Sequence, residues 1–360
     1  MRKIKISFIG LGRVFNHYIY ILEKFKLYKF IEIDCLCDAE KSVIKKIKKK
    51  IKAKFFLSID EFLLNCSSDI IFILTPSGMH YQHCLHVIKK KFNVITEKPL
   101  TMTYAEGMRL KKIAKKNKIV YGVVFQNRFN PAIQYVKKIL KKKLIGKITN
   151  FSVRIMWCRY QGYYNDKWHG KWKDDGGVLN QQAIHHLDTL NWLIGPIKEV
   201  FANCSNQLNK LEAEDTIAAI LKLNSNAIGT FHATTAARPK DISAEIAIFG
   251  SKGYLEVSGS ALNELKKVNL NNREYSKKFL EKYSEKVLNG YGFGHAKFIK
   301  SICQNFIKKG KIITPVSANE GIINTSLVHS LYKSNETNKW QKIDKNNKSK
   351  YLGKKSNDRK

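Results

Sequence analysis

The stretch 3-KIKISFIGLGRVF-15, near the start of the chain, decides the fold of the first half. Its first residues alternate in polarity and then become apolar, which is typical of an inner strand of a parallel sheet. Gly10 and Gly12 follow, and apolar residues then recur at helical spacing. A second apolar segment, 31-IEIDCLCD-38, ends in Asp38. This order of strand, glycine turn, helix, strand and acid predicts a dinucleotide-binding unit of the Rossmann type.

The glycine turn is predicted to hold the pyrophosphate of the dinucleotide. Gly10 permits the tight turn, and Gly12 lets the backbone approach the phosphates closely. The helix that begins at Arg13 and Val14 offers free main-chain N–H groups to the same anion. Phe15 stands where the fingerprint has its third glycine, which weakens the match but leaves the two phosphate-contacting glycines in place.

Asp38 discriminates between the two nicotinamide cofactors. Its carboxylate would accept hydrogen bonds from the adenosine ribose and would repel a 2′-phosphate, so we expect NAD rather than NADP. Lys41, close behind it, is the feature that favours NADP. Further strands are predicted at 70–76, 93–99 and 119–124, with helices between them. The loops at the carboxyl ends of these strands should carry the site.

Composition and charge limit the classes of function. The chain has 360 residues, 44% of them hydrophobic, which is enough for two domains with cores of their own. The net charge is +36, but only nine of the 65 basic residues are arginines, and the lysines fall on exposed helix faces. We therefore expect no nucleic-acid partner. No apolar run approaches the ~20 residues of a membrane span, and the N-terminus lacks the apolar core of a signal peptide. We expect a cytoplasmic protein without membrane contacts.

The cysteines and histidines give no sign of a metal site. The seven cysteines are scattered, their number is odd, and no pair has zinc-ligand spacing. Cys35 and Cys37 lie in an apolar strand and are expected to be core residues. His80, His83 and His86 share a predicted helix but have no carboxylate or cysteine beside them. We expect reduced thiols and no bound metal.

The pattern changes near residue 147, where alternating stretches separated by short turns begin. They predict a large, open, mainly antiparallel sheet packed on helices. We predict a Rossmann domain over residues 1–124 and an α+β domain for substrate binding and oligomerisation over 125–340. The final helix of that domain, at about 317–332, could pack back on the first domain. The Lys- and Asn-rich segment 342–360 is predicted to be a disordered basic tail.

Several motifs beyond the glycine turn carry a family resemblance. The chain resembles the glucose–fructose oxidoreductase/inositol dehydrogenase (Gfo/Idh/MocA) family, in register to about residue 340. Within it, the chain is most similar to nucleotide-sugar 3-dehydrogenases that act on UDP-N-acetylglucosamine or its uronic acid. The motifs are 75-TPSGMH-80, 97-EKP-99, 126-QNRFNP-131, 168-WHGKW-172, 176-GGVLNQQAIHHLD-188, 233-ATTA-236 and 291-YGFGH-295.

The resemblance implies a reaction and a catalytic pair. The reaction is NAD-dependent oxidation of the sugar 3-hydroxyl of UDP-N-acetylglucosaminuronate, or a close relative, to a 3-keto sugar. That product would feed an aminotransferase in surface-polysaccharide synthesis. His185 falls on the family's catalytic histidine, Asp188 on the acid after it, and Lys98 on the lysine of E-K-P. An imidazole can take the hydroxyl proton near neutral pH, and the lysine can polarise the same oxygen. The reverse assignment stays open, and on spacing alone such a histidine is more often structural.

The remaining site residues follow from the same motifs. Gln181 stands where relatives have an acid or Asn, and His169 where this branch more often has Arg; both leave the exact sugar open. His186 points elsewhere and is expected to be structural. Besides the turn residues and Asp38, the predicted cofactor contacts are Thr75, Pro76, His80, Glu97, Lys98 and Gln126. The predicted substrate contacts are Arg128, Tyr163, Trp168, Gln181, Gln182 and His185.

Two other functions fit the same residues. One is a dehydrogenase of a free sugar or inositol within the same family. The other is a non-catalytic protein that senses the dinucleotide, against which the intact Lys98 and His185 argue. Family members usually assemble through the open face of the second sheet, so the resemblance implies a homodimer or homotetramer.

Overall fold

The computed structural model describes residues 2–166 and 168–354, which form two compact units. One unit comprises the chain up to Val124 together with His295–Thr325. The other comprises Phe125–Gly294 and the chain from Ser326 onward. The sequence prediction placed all of 125–340 in the second domain, so the segment His295–Thr325 is a correction to it.

The first unit is built on a parallel sheet with the strand order β3-β2-β1-β4-β5-β6. Helices alternate with its strands, as the glycine-turn pattern predicts. The strands are β1 (Ile4–Ile9), β2 (Ile31–Cys37), β3 (Lys54–Phe56), β4 (Ile70–Ile73), β5 (Asn93–Thr96) and β6 (Tyr121–Val123). The helices between them are α1 (Arg13–Lys24), α2 (Lys41–Lys48), α3 (Ile59–Asn65), α4 (His80–Lys89) and α5 (Tyr104–Lys116).

An aromatic cluster fixes α1 on this sheet. Phe8 of β1 contacts Phe15 and Tyr18 of α1, with ring centroids 5.3 and 5.6 Å away, and Phe72 of β4 at 5.4 Å. All four rings are buried. Phe15 therefore makes by side-chain packing the helix–sheet contact that a third glycine makes by close backbone approach.

The second unit is built on a mixed sheet with the order β14-β13-β12-β11-β7-β10-β9-β8-β15. Its pairs are antiparallel except β7 with β10, which is parallel. The predicted combination of a Rossmann domain and an open, mainly antiparallel sheet with helices is thus confirmed. The strands are β7 (Ile148–Met156), β8 (Ile197–Ser205), β9 (Thr216–Leu223), β10 (Ile228–Thr234), β11 (Ser243–Gly250), β12 (Gly253–Ser258), β13 (Glu264–Leu270), β14 (Arg273–Glu274) and β15 (Gln341–Lys342). The helices are α6 (Pro131–Lys141), α7 (Ile184–Ile194) and α8 (Lys277–Lys282).

Two late helices, α9 (Gly294–Lys309) and α10 (Ala318–Thr337), follow in the chain. The loop between them returns to the first unit's sheet. The N–H of Val123 in β6 donates to the carbonyl of Val316, and Gly122 forms a bridge with Ser317. An edge strand presents unpaired backbone groups, and this distant segment satisfies some of them. Local sequence patterns carry no trace of that pairing.

The segment after α10 is folded as far as it is described, which contradicts the predicted disorder from residue 342. Strand β15 pairs with β8, and the N–H of Ile343 donates to the carbonyl of Lys198. The side chain of Asn347 donates to the hydroxyl of Ser330, and Leu352 is buried. The pairing of β15 with β8 and the contributions of Ile343 and Leu352 therefore order this segment despite its polar composition. The last residues of the predicted tail, 355–360, lie outside the described part.

Over 2–166 and 168–354, no helix combines the length and apolarity needed to cross a membrane.

Candidate active site

The glycine turn after β1 has the geometry that the phosphate-binding prediction needs. Gly10 has φ +93°, and a Cβ there would lie 2.9 Å from main-chain atoms of Leu74 and Thr75. Gly12 is the N-cap residue of α1, and apart from its chain neighbours no described atom lies within 4 Å of the position its Cβ would take. Only glycine therefore fits at the first position, and at the second the backbone is open to a close ligand. The residues present fit the pyrophosphate of a dinucleotide.

Asp38 is held in place by the same turn. Its Oδ2 accepts a hydrogen bond from the N–H of Leu11 at 2.8 Å, and its Oδ1 accepts one from the N–H of Glu40 at 2.9 Å. The side chain is partly exposed. Each carboxylate oxygen keeps a lone pair for a ribose hydroxyl. The acid is thus preorganised for the contact predicted from the sequence.

His80 joins two of the predicted cofactor loops. Its Nδ1 lies 2.7 Å from the carbonyl of Pro99, and its Nε2 lies 2.9 Å from that of Thr75. Burial lowers the pKa of His80, although the two carbonyls partly offset this. Both ring nitrogens thus face main-chain carbonyls, so the contribution of His80 is to hold the loops after β4 and β5 together, with Pro76 in the first of them.

Glu97, beside Lys98, is a buried carboxylate with two partners. Its Oε1 accepts a hydrogen bond from the hydroxyl of Tyr18 at 2.9 Å and contacts Nε2 of His295 at 3.2 Å. Burial alone would raise the pKa of Glu97, but the hydrogen bond and charge of His295, together with Tyr18, hold it below the ordinary value. Burial lowers the pKa of the neighbouring His17 to about 3. The contacts of Glu97 with Tyr18 and His295 fix the segment after β5 on which the half-buried Lys98 stands.

The start of α7 departs from α-helical geometry. Residues Leu179–Ala183 form a π-helical turn directly before α7. From 178 to 190 the side chains are buried, except that of His185, which is partly exposed. Turns of this kind occur frequently at functional sites, because the wider turn redirects side chains. The predicted base is thus the position of this stretch that is accessible to a ligand.

Predicted substrate residues meet near this turn. Gln182 is within 3.5 Å of the hydroxyl of Tyr163, whose ring centroid lies 4.4 Å from that of His169. Trp168 stacks on the same imidazole at 3.7 Å, and Asp166 accepts a hydrogen bond from His169 Nδ1. Tyr163, Trp168 and Gln182 therefore form one cluster, with His169 at its centre. Gln181 lies in the π-helical turn and is buried.

Arg128, the predicted substrate clamp, forms a buried ion pair within the second unit. Its Nε and Nη2 donate to the two carboxylate oxygens of Asp188 at 2.7 and 2.6 Å. Both side chains are buried, and the guanidinium lies over the rings of Phe125 and Trp192. A bidentate, desolvated pair of this kind occupies the Nε/Nη2 edge of the guanidinium. The pair instead ties α7 to the segment after β6. Gln126, in that segment, is buried, and its Oε1 has no hydrogen-bond partner among the described residues.

Glu214 anchors the start of the π-helical turn and was not anticipated. Its main-chain carbonyl accepts from the N–H of Val178, and its Oε1 accepts from Leu179 N–H and Tyr332 O–H, both at 2.9 Å. A Cβ at Gly177 would lie 2.1–2.3 Å from Glu214 atoms. Burial raises the pKa of Glu214 to about 7. An acid directly before an apolar strand, in 214-EDTIAAIL-221, was the available signal.

His186 is structural, in agreement with expectation. It is fully buried and packs edge-on against Trp157 at 5.5 Å, and burial lowers its pKa to about 3. Within residues 2–166 and 168–354 neither of its ring nitrogens has a hydrogen-bond partner. A neutral imidazole in that position contributes packing rather than proton transfer.

Comparison with known proteins gives consistent results for both halves. Residues 4–125 match the family model described as oxidoreductase family, NAD-binding Rossmann fold, and residues 133–256 match the GFO/IDH/MocA C-terminal domain. The WlbA dehydrogenase from Chromobacterium violaceum, solved with NADH and UDP-GlcNAcA, is 30% identical, with a TM-score of 0.87 over 96% of this chain and 97% of that one. The WlbA dehydrogenase from Bordetella pertussis, in complex with the same ligands, is 28% identical, with a TM-score of 0.89 over 95% and 98%.

A curated relative, the myo-inositol 2-dehydrogenase of Thermotoga maritima, is 23% identical over 70% of this chain and 74% of its own length. Against three oxidoreductases of Synechocystis and Bacillus subtilis, the match spans 43 to 59% of the relative's length. The two family models together cover more than half of the chain. The first model includes the glycine turn and Asp38, and the second includes strands of the mixed sheet described above. The chain therefore belongs to the GFO/IDH/MocA family of oxidoreductases, and its first unit is an NAD-binding domain.

Proposed function

We propose that this protein oxidises the 3-hydroxyl of UDP-N-acetylglucosaminuronate, or a close nucleotide sugar, to a 3-keto sugar with NAD. The supporting observation is the likeness to the WlbA dehydrogenases, which extends over almost the whole of each chain and includes structures with NADH and UDP-GlcNAcA. The 3-keto product is the chemical class that an aminotransferase consumes in surface-polysaccharide synthesis. The free cysteines fit a reducing cytoplasm as the place of the reaction.

The proposal assigns the cofactor to the residues whose geometry suits it. Gly10 and Gly12 would hold the pyrophosphate with the first turn of α1, and Asp38 would bind the ribose. The loops that His80 joins, which include Thr75 and Pro76, would flank the bound cofactor. Bound NAD supplies the hydride acceptor. The other tasks, which are proton removal and substrate positioning, are assigned to side chains of this protein.

His185 is the proposed general base. Oxidation of a carbinol requires that the hydroxyl proton leave as hydride departs from the same carbon, and an imidazole can accept that proton near neutral pH. His185 is the partly exposed side chain in an otherwise buried stretch, so its ring can reach a ligand. The Arg128–Asp188 ion pair holds the helix one turn further along and thereby limits movement of the imidazole.

Lys98 is the proposed partner that donates a hydrogen bond to the reacting oxygen. Its backbone is fixed by the buried Glu97, which is itself held by Tyr18 and His295. Tyr163, Trp168, Gln181 and Gln182 are the proposed sugar contacts. Gln181 offers an amide where relatives have an acid, so it can bind a hydroxyl but cannot take up its proton.

The test is NADH formation by purified full-length protein with UDP-N-acetylglucosaminuronate, UDP-N-acetylglucosamine and myo-inositol in parallel. The proposal expects turnover with the uronate and loss of about 10²- to 10⁴-fold in kcat for His185→Asn and for Lys98→Met. The exposed residues His86 and Lys90 provide the matched controls His86→Asn and Lys90→Met, which should retain activity. Reduction of NAD with myo-inositol but none of the UDP-sugars would contradict the proposed substrate.

Free inositols are the second candidate substrates. The observation in their favour is the similarity to the myo-inositol 2-dehydrogenase of Thermotoga maritima. The same assay separates the two, because a nucleotide-sugar enzyme loses its substrate binding when the UDP group is removed. Turnover with any sugar would exclude a non-catalytic dinucleotide sensor.

We also propose that the protein is a homodimer or homotetramer assembled through the open face of the second sheet. Large apolar side chains are exposed on its strands, including Ile220 of β9, Ile228 at the start of β10 and Phe249 of β11. Light scattering coupled to size-exclusion chromatography should give a mass of two or four chains. Ile220→Glu should reduce it, and a monomeric wild type would refute this part of the proposal.

A further inference from the structure

A cluster of soft ligands lies in the first unit, apart from the residues proposed for cofactor and substrate. It combines Asp34 and Cys35 of β2 with Cys66, which directly follows α3. One carboxylate oxygen and the two sulfurs all lie within 4.8 Å of one another. Asp34 and Cys35 are buried, and Cys66 is partly exposed. The cluster is therefore both built into the fold and open to solution on one side.

A β-bulge creates this arrangement. Neighbouring residues of a regular strand point to opposite faces of the sheet, so Asp34 and Cys35 should diverge. The register of β1 with β2 shifts here, from Ile6 opposite Ile33 to Phe8 opposite Leu36. Asp34 and Cys35 thus both stand against Ser7, an arrangement that is rare in parallel pairs and often found beside functional sites. The bulge brings a carboxylate and a thiol together from consecutive positions.

The surroundings of the cluster support metal-ligand chemistry. Asp34 Oδ2 accepts from Ser67 N–H at 2.7 Å and from the Ser68 hydroxyl at 3.3 Å, which orients the carboxylate. The sulfur of Cys66 lies 3.6 Å from the Ser7 hydroxyl, which in turn lies 2.6 Å from the Ser68 hydroxyl. Outer hydrogen bonds of this kind orient metal ligands and stabilise thiolates.

We propose that Asp34, Cys35 and Cys66 bind one thiophilic divalent cation of the zinc class. Two thiolates and a carboxylate suit Zn²⁺ or Cd²⁺ and disfavour Mg²⁺ and Ca²⁺, which prefer oxygen ligands. Tetrahedral Zn²⁺ holds such ligand atoms about 3.3–3.8 Å apart. Since no separation here exceeds 4.8 Å, the cluster needs a contraction of at most about 1–1.5 Å. A water molecule completes the coordination. On binding, the two thiols release their protons to solvent.

The local charges balance in the occupied site. Asp34 and the two thiolates carry three negative charges. The cation supplies two positive charges, and Lys54, whose ammonium lies 3.7 Å from Asp34 Oδ1, supplies the third. A buried group of charges is tolerated only when it is compensated in this way. The cation would link β2 to the loop between α3 and β4, two segments that the sequence separates.

The experiment uses full-length, untagged protein freed of metal with a chelator. Cd²⁺ is added, and the ultraviolet charge-transfer absorption of cadmium thiolate is recorded. We expect one Cd²⁺ per chain, displaced by Zn²⁺ and not by Mg²⁺. Cys35→Ser, Cys66→Ser and Asp34→Asn should each weaken binding at least tenfold. Cys158→Ser removes a partly exposed thiol outside the cluster and should have no effect.

A second measurement needs no variant and remains informative if a substituted protein fails to fold. Wild-type protein is alkylated with and without Zn²⁺, and the labelled cysteines are located by peptide mass mapping. Protection of Cys66, with unchanged labelling of Cys158, is the expected result. Absence of charge-transfer absorption, equal labelling of Cys66 with and without Zn²⁺, or binding that survives in a folded Cys66→Ser protein would each overturn the proposal.

Discussion

Two buried glutamates, Glu97 in the first unit and Glu214 in the second, stand in similar surroundings but differ in charge. Each accepts a hydrogen bond from a tyrosine hydroxyl at 2.9 Å. Glu97 also faces His295, and its pKa is held below the ordinary value despite burial. The second partner of Glu214 is instead the main-chain N–H of Leu179, and burial raises the pKa of Glu214 to about 7. The partner that faces the carboxylate, rather than burial alone, decides the direction in which its pKa moves.

The largest effect should come from removing His295, the partner of Glu97. His295→Leu leaves the buried Glu97 carboxylate without its ion-pair partner, and breaking such a pair costs about 3–5 kcal/mol of the free energy of unfolding. Urea denaturation of His295→Leu and of the exposed control His86→Leu measures the difference. A loss under about 1 kcal/mol would mean that Glu97 is neutral and that the contrast with Glu214 is absent.

The pH dependence of stability should separate the two acids next. Folded Glu214 keeps its proton up to about pH 7, while the unfolded chain releases it near the ordinary value of 4.5. Between these values the unfolded state binds fewer protons, so this contribution to stability is present below pH 4.5 and is lost as the pH rises to 7. The loss amounts to about 3 kcal/mol. The glutamine of Glu214→Gln cannot titrate, so this variant should not lose that free energy of unfolding between pH 4.5 and 7.

Glu97 should show the opposite sign. Its lowered pKa gives a contribution that is complete above the ordinary value of 4.5 and is lost as the pH falls further. Denaturation of wild type, Glu97→Gln and Glu214→Gln at a series of pH values measures both windows. If the wild type and Glu214→Gln keep a constant difference from pH 4.5 to 7.5, the Glu214 carboxyl is ionised throughout.

The smallest effect should come from the two tyrosine hydroxyls. Tyr18→Phe removes a hydrogen bond to a charged acceptor, worth about 1.5–3 kcal/mol, whereas Tyr332→Phe removes one to a neutral acid, worth about 0.5–1.5 kcal/mol. Both rings are fully buried and keep their packing. Tyr332→Phe also removes the acceptor of the Gly177 N–H, which lies 3.3 Å from the Tyr332 hydroxyl, so that weak bond is lost in addition. The comparison is refuted if the melting temperature falls more for Tyr332→Phe, measured near pH 5.

Features that lie close together in sequence were predictable. Gly10, Gly12 and Asp38 follow one another along a single βαβ unit, so their roles could be assigned before the fold was known, and the strand and helix pattern around them is confirmed. The catalytic assignment of Lys98 and His185 rests on short motifs and stays a prediction for the kinetic experiments above.

Partners distant in sequence were not predictable. His295 was visible in a motif, but its contact with Glu97 depends on α9 joining the first unit. Arg128 was assigned to a substrate because a guanidinium fork binds any carboxylate, and the sequence does not show that Asp188 is the carboxylate it meets. The cluster around Cys35 was not predicted, because consecutive residues of a regular strand point to opposite faces of the sheet. The bulge that brings Asp34 and Cys35 together leaves no signature in the sequence.

The membership of His295–Thr325 in the first unit has a consequence for synthesis on the ribosome. The glycine turn emerges early, but the segment that pairs with β6 and supplies His295 follows Val124 only about 170 residues later. At about 5–20 residues per second, the ribosome needs roughly 10–35 s to make that stretch. During this interval the nascent NAD-binding domain has an open sheet edge and an uncompensated buried acid. Its completion is therefore tied to the emergence of nearly the whole second unit, and the two units cannot mature in simple order from the N-terminus.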